Sequence, residues 1–100
     1  MVANDDEKQK QLTELLEGGG KLYEEKNFEE AFAKFEEILK IEPENKIARS
    51  KSAELRWKLV SDFYESGLAY LKENKFQEAI IQFEKVIKLE PKHQAAKDFE

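Results

Sequence analysis

The chain carries one long internal copy of itself. Lys26-Asn27-Phe28-Glu29-Glu30-Ala31 is answered by Asn74-Lys75-Phe76-Gln77-Glu78-Ala79, and Ile41-Glu42-Pro43 by Leu89-Glu90-Pro91, at one constant offset that carries Phe28 to Phe76 and Pro43 to Pro91 alike. Self-similarity at a fixed offset means that one supersecondary unit has been used twice, and it restricts the fold more than any composition does. Inside each copy the apolar residues Ala31, Phe32, Phe35, Ile38, Leu39 and Ala79, Ile80, Phe83, Val86, Ile87 recur three and four apart. That spacing marks one buried face of an amphipathic helix. Pro43 and Pro91 follow the last apolar turns and cannot extend them. Helices are therefore expected at about 29–41 and 77–89, and Asn27 with Glu30 has the general form of a capping box. Ahead of each lies another helical stretch, 12–25 and 60–73, joined by a turn short enough to force an antiparallel neighbour. Each copy reads as a helical hairpin.

A chain of 100 residues has room for one modest core. Its 40% hydrophobic and 39% charged residues are those of a helical protein with a charged surface rather than a disordered chain. No cysteine is present, which removes disulfides and thiolate metal sites and leaves the compartment open. No apolar run approaches the roughly 20 residues that span a bilayer, so a soluble segment without membrane insertion is expected. Residues 1–8 are polar and are expected to form a disordered tail ahead of a single domain at 9–100.

The spacing of Phe63, Ser66, Gly67, Tyr70, Ala79, Phe83 and Pro91 resembles the tetratricopeptide repeat, an all-α hairpin repeat. Leu15, Gly18, Gly19, Leu22, Ala31, Phe35 and Pro43 resemble it at the same spacing, Gly19 standing as far ahead of Pro43 as Gly67 stands ahead of Pro91. The resemblance implies a solenoid fragment in which Gly19 and Gly67, with Ala31 and Ala79, let paired helices approach while Phe35 and Phe83 fill the space beside them.

The copies depart from that family in length, because its units repeat every ~34 residues. The offset here is longer by the stretch Lys46 to Leu59, which holds no Gly or Pro and places Ala48, Leu55 and Leu59 in line with Phe63. The simplest reading is an extended linking helix continuous with the second hairpin, its first half folding back on the helix at 29–41. A break at Ser61-Asp62 is the alternative, since both residues can cap a helix. Within the domain this gives repeat 1 at 12–45, a helical insertion at 46–59, repeat 2 at 60–93, and the start of a further helix at 94–100, read as the opening of a longer array. Gly18-Gly19-Gly20 should make the first helix the weakest, at about 1 kcal/mol per glycine, through close packing at Gly19 or through a kink.

Chemistry finds little to work with. The chain has one histidine and no cysteine, and its carboxylates are spaced as exposed helix faces, so no catalytic residue, metal ligand or cofactor site is expected and the chain is read as not an enzyme. His93 falls at a helix start, where the first copy has Asn45, and reads as a surface residue. The glycine run is not followed by the Gly-Lys-Ser/Thr of a phosphate loop. Lys46, Arg49, Lys51, Arg56 and Lys58 against Glu54 give the stretch 46–58 a net +4, but the formal charge of the chain is −5, which repels a polyanion and makes nucleic acid an unfavourable partner. Those cations are expected to partner Glu29, Glu36, Glu37 and Glu42 on the helix beside them.

The family resemblance implies a non-catalytic scaffold that binds a peptide or helix of another protein in a groove lined by first helices. The groove residues would be Thr13, Leu16, Gly20, Tyr23 and Glu24 in the first copy and Ser61, Tyr64, Leu68, Leu71 and Lys72 in the second. The family's carboxylate clamp is missing, because its Lys, Asn and Arg places hold Leu16, Gly20 and Glu65. An alternative surface is Arg49, Arg56, Trp57 and Lys58, where Trp57, Val60 and Tyr64 form a stripe through which the long helix would pair two chains as a homo-oligomer.

Overall fold

The computed structural model describes residues 2–98. Among them the chain is all α-helical, with α1 at Val2–Glu24, α2 at Phe28–Ile41, α3 at Lys46–Lys72, α4 at Phe76–Leu89 and α5 at Gln94–Asp98. The second helix of each copy lies where its apolar spacing put it, starting one residue earlier than expected. Residues 46–72 form one uninterrupted helix, so Ser61 and Asp62 are interior residues and not a cap.

The chain gathers into two compact units, residues 1–55 and 56–100, with the boundary inside α3. In the first unit α1, α2 and the start of α3 enclose Leu12, Ala31, Phe35, Ile38, Ala48 and Leu55, with Leu15, Leu16, Leu22, Phe32 and Leu39 partly buried around them. The second unit is built on Val60, Ala79, Phe83, Val86 and Ala96, flanked by Phe63, Tyr64, Tyr70 and Leu71. Each cluster is built on the apolar face legible in the sequence and closed by residues of α3, except that Ile80, expected on that face, is exposed.

The two hairpin turns are built alike. Lys26 and Asn74, at matching places of the two copies, both adopt the left-handed conformation, with φ of 63° and 61°. In the first turn Asn27 N–H donates to Leu22 O at 2.9 Å and Lys26 N–H to Tyr23 O at 3.0 Å. In the second, Lys75 N–H donates to Tyr70 O at 2.9 Å and Asn74 N–H to Leu71 O at 3.0 Å. This pair of bonds is the Schellman closure, which satisfies carbonyls at the helix end and reverses the chain within a short turn.

Residues 2–8 belong to α1. The segment 7–17 is rich in Glu, Gln, Lys and Leu and holds no helix breaker, so the helix anchored at Leu12 extends backwards at little cost. Residue 1 lies outside the described residues, as do residues 99 and 100 of the helix expected at 94–100. The capping box at Asn27 does not form: the Asn27 side chain makes no cap hydrogen bond, and its ψ of 72° falls short of the extended backbone that aims a cap side chain at the first turn. Among the cations of this stretch, Arg49 pairs with Glu44 at 3.3 Å, Lys51 with Glu54 at 3.7 Å and Lys58 with Asp62 at 3.4 Å, all close in sequence. Of the acids named as partners, Glu36 meets α3 by accepting a hydrogen bond from the Ser52 hydroxyl.

The glycine run settles as close packing. α1 passes through Gly18, Gly19 and Gly20 without a break, and Gly19 is buried where a Cβ would stand 3.0 Å from the Phe35 ring.

Candidate functional site

The second unit presents an open recess of ≈ 330 Å³. α3 supplies Trp57, Val60, Ser61, Tyr64, Glu65 and Leu68, and the turn after α4 supplies Glu90 and His93. The helical period explains the first set: residues three, four and seven apart share one face. Pro91 explains the second, since it stops α4 and turns the chain back towards α3.

Tyr64 forms the floor. Its ring meets Phe83 edge-on at 5.7 Å and His93 edge-on at 5.0 Å between centroids, so it is held from the core side and from the turn. His93 is fixed in turn, because its Nδ1 accepts the Ala96 N–H at 3.2 Å and so caps α5. Asn45, at the matching place of the first copy, accepts the Ala48 N–H at 2.9 Å and caps α3. The helix-start reading of His93 is therefore right, but its ring also lines the recess.

Above this floor Trp57 stands 76% exposed and Leu68 37% exposed. Glu65 and Glu90 complete the lining, and among the described residues neither carboxylate has an ion-pair or hydrogen-bond partner. The result is an apolar, aromatic hollow with two carboxylates on it.

The expected groove residues divide. Ser61, Tyr64 and Leu68 line the recess, joined by Trp57 from the alternative surface. Leu71 is taken up by the core of the second unit, and Lys72 is exposed beyond the lining. In the first unit Leu16 is partly buried against the core, Gly20 is half-buried with open space where a Cβ would stand, and Thr13 is exposed, its hydroxyl donating to Gln9 O at 2.9 Å. Tyr23 is engaged internally: its hydroxyl donates to the Glu54 carboxylate, Lys51 Nζ lies 4.3 Å from its ring centre, and Phe28 meets its edge at 5.7 Å. The hydrogen bond to Glu54 holds the Tyr23 hydroxyl proton above the ordinary tyrosine range, with desolvation and the Glu54 charge adding to it. Arg49 belongs to the first unit and pairs with Glu44, while Arg56 and Lys58 are exposed neighbours of Trp57 outside the recess lining.

Glu90 and His93 were not singled out as site residues. The residues opposite Tyr64 lie on a turn beyond the whole of α4, and only the closed hairpin brings them there.

Among the described residues no group of three or more His, Cys, Asp or Glu is placed to hold a metal ion, and no helix is long and apolar enough to cross a membrane. The fold and this recess define a helical-hairpin repeat protein that keeps an apolar hollow open on its long helix. Residues 61–93 match the family model of the tetratricopeptide repeat. None of the curated proteins and none of the solved structures compared with the chain matches it. Tetratricopeptide repeats in general mediate protein–protein interaction and scaffolding and are non-catalytic.

Proposed function

We propose that this chain is a non-catalytic interaction module that binds a peptide or helical segment of a partner protein through the α3 face carrying Trp57, Ser61, Tyr64 and Leu68. The observation that supports it is the exposure of Trp57 and Leu68 beside a Tyr64 ring held in place from below. Rigid aromatic anchors in a hollow give contact area at little ordering cost, which is how a few residues come to carry most of an interface's energy. The matching positions of the first copy hold Gln9, Thr13, Leu16 and Gly20, so the aromatic anchors belong to the second unit alone.

The test is selection of binders from a random peptide library displayed on phage, run on the wild-type chain and on Leu68→Gln. Leu68 is partly exposed, so the variant should keep its helical spectrum. Peptides that bind the wild type and lose at least about tenfold in affinity on the variant are expected, roughly 1.4 kcal/mol. Peptides indifferent to the change would refute the site.

A second reading, pairing of two chains through α3, draws on the same exposed Trp57. Light scattering at two concentrations separates the two readings, since a dimer at both supports pairing and a monomer at both leaves the recess for a ligand.

A further inference from the structure

Resting on that reading, we propose that the recess is a cation-accepting subsite, which takes the guanidinium or ammonium of an arginine or lysine that a partner protein presents beside an apolar residue.

The argument starts from what each lining group wants. Trp57 offers an exposed indole face, and an indole is the strongest of the aromatic side chains at attracting a cation over its ring. Val60 is buried in the same hollow, and Tyr64 and Leu68 continue an apolar wall suited to the methylene stem of a long basic side chain. Glu65 on α3 and Glu90 on the turn bring two carboxylates to the same hollow from different elements. Two other carboxylates of this unit already hold a cation, Asp62 with Lys58 at 3.4 Å and Glu73 with Lys75 at 3.2 Å. Glu65 and Glu90 have no such contact among the described residues, so their charge is available to a ligand. The basic side chains beside Trp57 do not line the hollow, and the chain as a whole carries −5.

An acidic segment is the wrong occupant for the same reasons. Its carboxylate would face two like charges over an apolar floor with no donor cation to receive it, and like-charge juxtaposition costs affinity and slows encounter. A purely apolar segment would fill the hollow but leave both carboxylates half covered and unpaired, which is a desolvation cost without compensation. A basic residue satisfies ring, stem pocket and carboxylates together.

The experiment uses the same random library on the full chain and reads what the enriched peptides contain. Enrichment of lysine or arginine at one fixed position next to an apolar residue is expected. Binding of these peptides should change the emission of Trp57, the sole tryptophan, and weaken as salt is raised. The double variant Glu65→Gln/Glu90→Gln alters only exposed side chains. It should lower affinity for the basic peptides about tenfold, roughly 1.4 kcal/mol, while leaving matched peptides carrying norleucine at that position unchanged. Peptides that need Leu68 but show no fixed cation, or bind the double variant equally well, would overturn the cation subsite and leave the interaction module standing. No enrichment, or peptides indifferent to Leu68→Gln, would overturn both.

Discussion

Gly67 and Phe83 share a space that holds one ring and no methyl group. A Cβ on Gly67 would stand 2.6 Å from Cε1 and 2.7 Å from Cζ of Phe83, and that ring is fully buried, so it has nowhere to move cheaply. At the same place in the first copy Gly19 faces Phe35 with distances of 3.0 and 3.2 Å, a tight fit that a small shift relieves. Gly18 and Gly20 meet nothing within 4 Å. The four glycines therefore predict an ordered series of alanine effects by urea titration. Gly67→Ala should destabilise by ~0.5–2 kcal/mol, overpacking outweighing the gain in helix propensity. Gly19→Ala should be close to neutral. Gly18→Ala and Gly20→Ala should each stabilise by ~0.5–1 kcal/mol. A stabilising Gly67→Ala would show that the hairpin is looser than described.

The two left-handed residues make a second comparison. Lys26 and Asn74 occupy equivalent turns at φ of 63° and 61°, but asparagine tolerates this region and lysine does not. Lys26→Gly should raise stability by about 0.5–1 kcal/mol, whereas Asn74→Gly should change it by a few tenths. Thermal melts of both variants check the order. If Lys26→Gly lowers the midpoint, the lysine side chain makes a contact that outweighs its backbone strain.

Tyr23 supplies a pH test. Its hydroxyl donates to Glu54, so the folded state holds that proton above the usual tyrosine value of 10.0. The contact's contribution is complete below the unfolded value and is lost as pH rises from there through the raised folded value. Tyrosinate absorbance should therefore show one of the three tyrosines ionising late. In Glu54→Gln that late step should move to lower pH. Superimposable titration curves for the two proteins would remove the bond.

How much of this was legible in the sequence depends on the range of the interaction. Helix faces were: Ala31, Phe35, Ile38 and Ala79, Phe83, Val86 are all buried, because a 3.6-residue period is local information. The long helix was legible too, since Lys46 to Leu59 contains no breaker and Ala48, Leu55 and Leu59 are indeed buried. The Schellman turns were not, because Lys26 gives no hint of positive φ and only its match to Asn74 points there. The recess was half visible. Ser61, Tyr64 and Leu68 share a helix face that the repeat places, whereas Glu90 and His93 arrive by chain reversal, and Leu71 and Tyr23 were lost to a core and a hydrogen bond that periodicity does not see.

The last prediction concerns Leu59, which lies in the interior of α3 and is 5% exposed. Two effects are combined in any proline there, and alanine separates them. Leu59→Ala removes buried methyl and methylene groups and leaves a cavity, at a cost of about 2–5 kcal/mol. Leu59→Pro loses the same side-chain packing, removes one backbone hydrogen bond, and drives its ring into the preceding turn, which adds ~3 kcal/mol or more. Were the helix interrupted near Ser61, residue 59 would sit beside a connection, and the backbone part would shrink to about 1 kcal/mol or less. Guanidinium titration of wild type, alanine and proline variants therefore reads helix continuity as a difference between two mutants. The expected gap is about 3 kcal/mol or more. Equal destabilisation by the two would mean that α3 is broken at this point, and the helical face that carries Trp57 and Tyr64 would then have no common axis on which to form a recess.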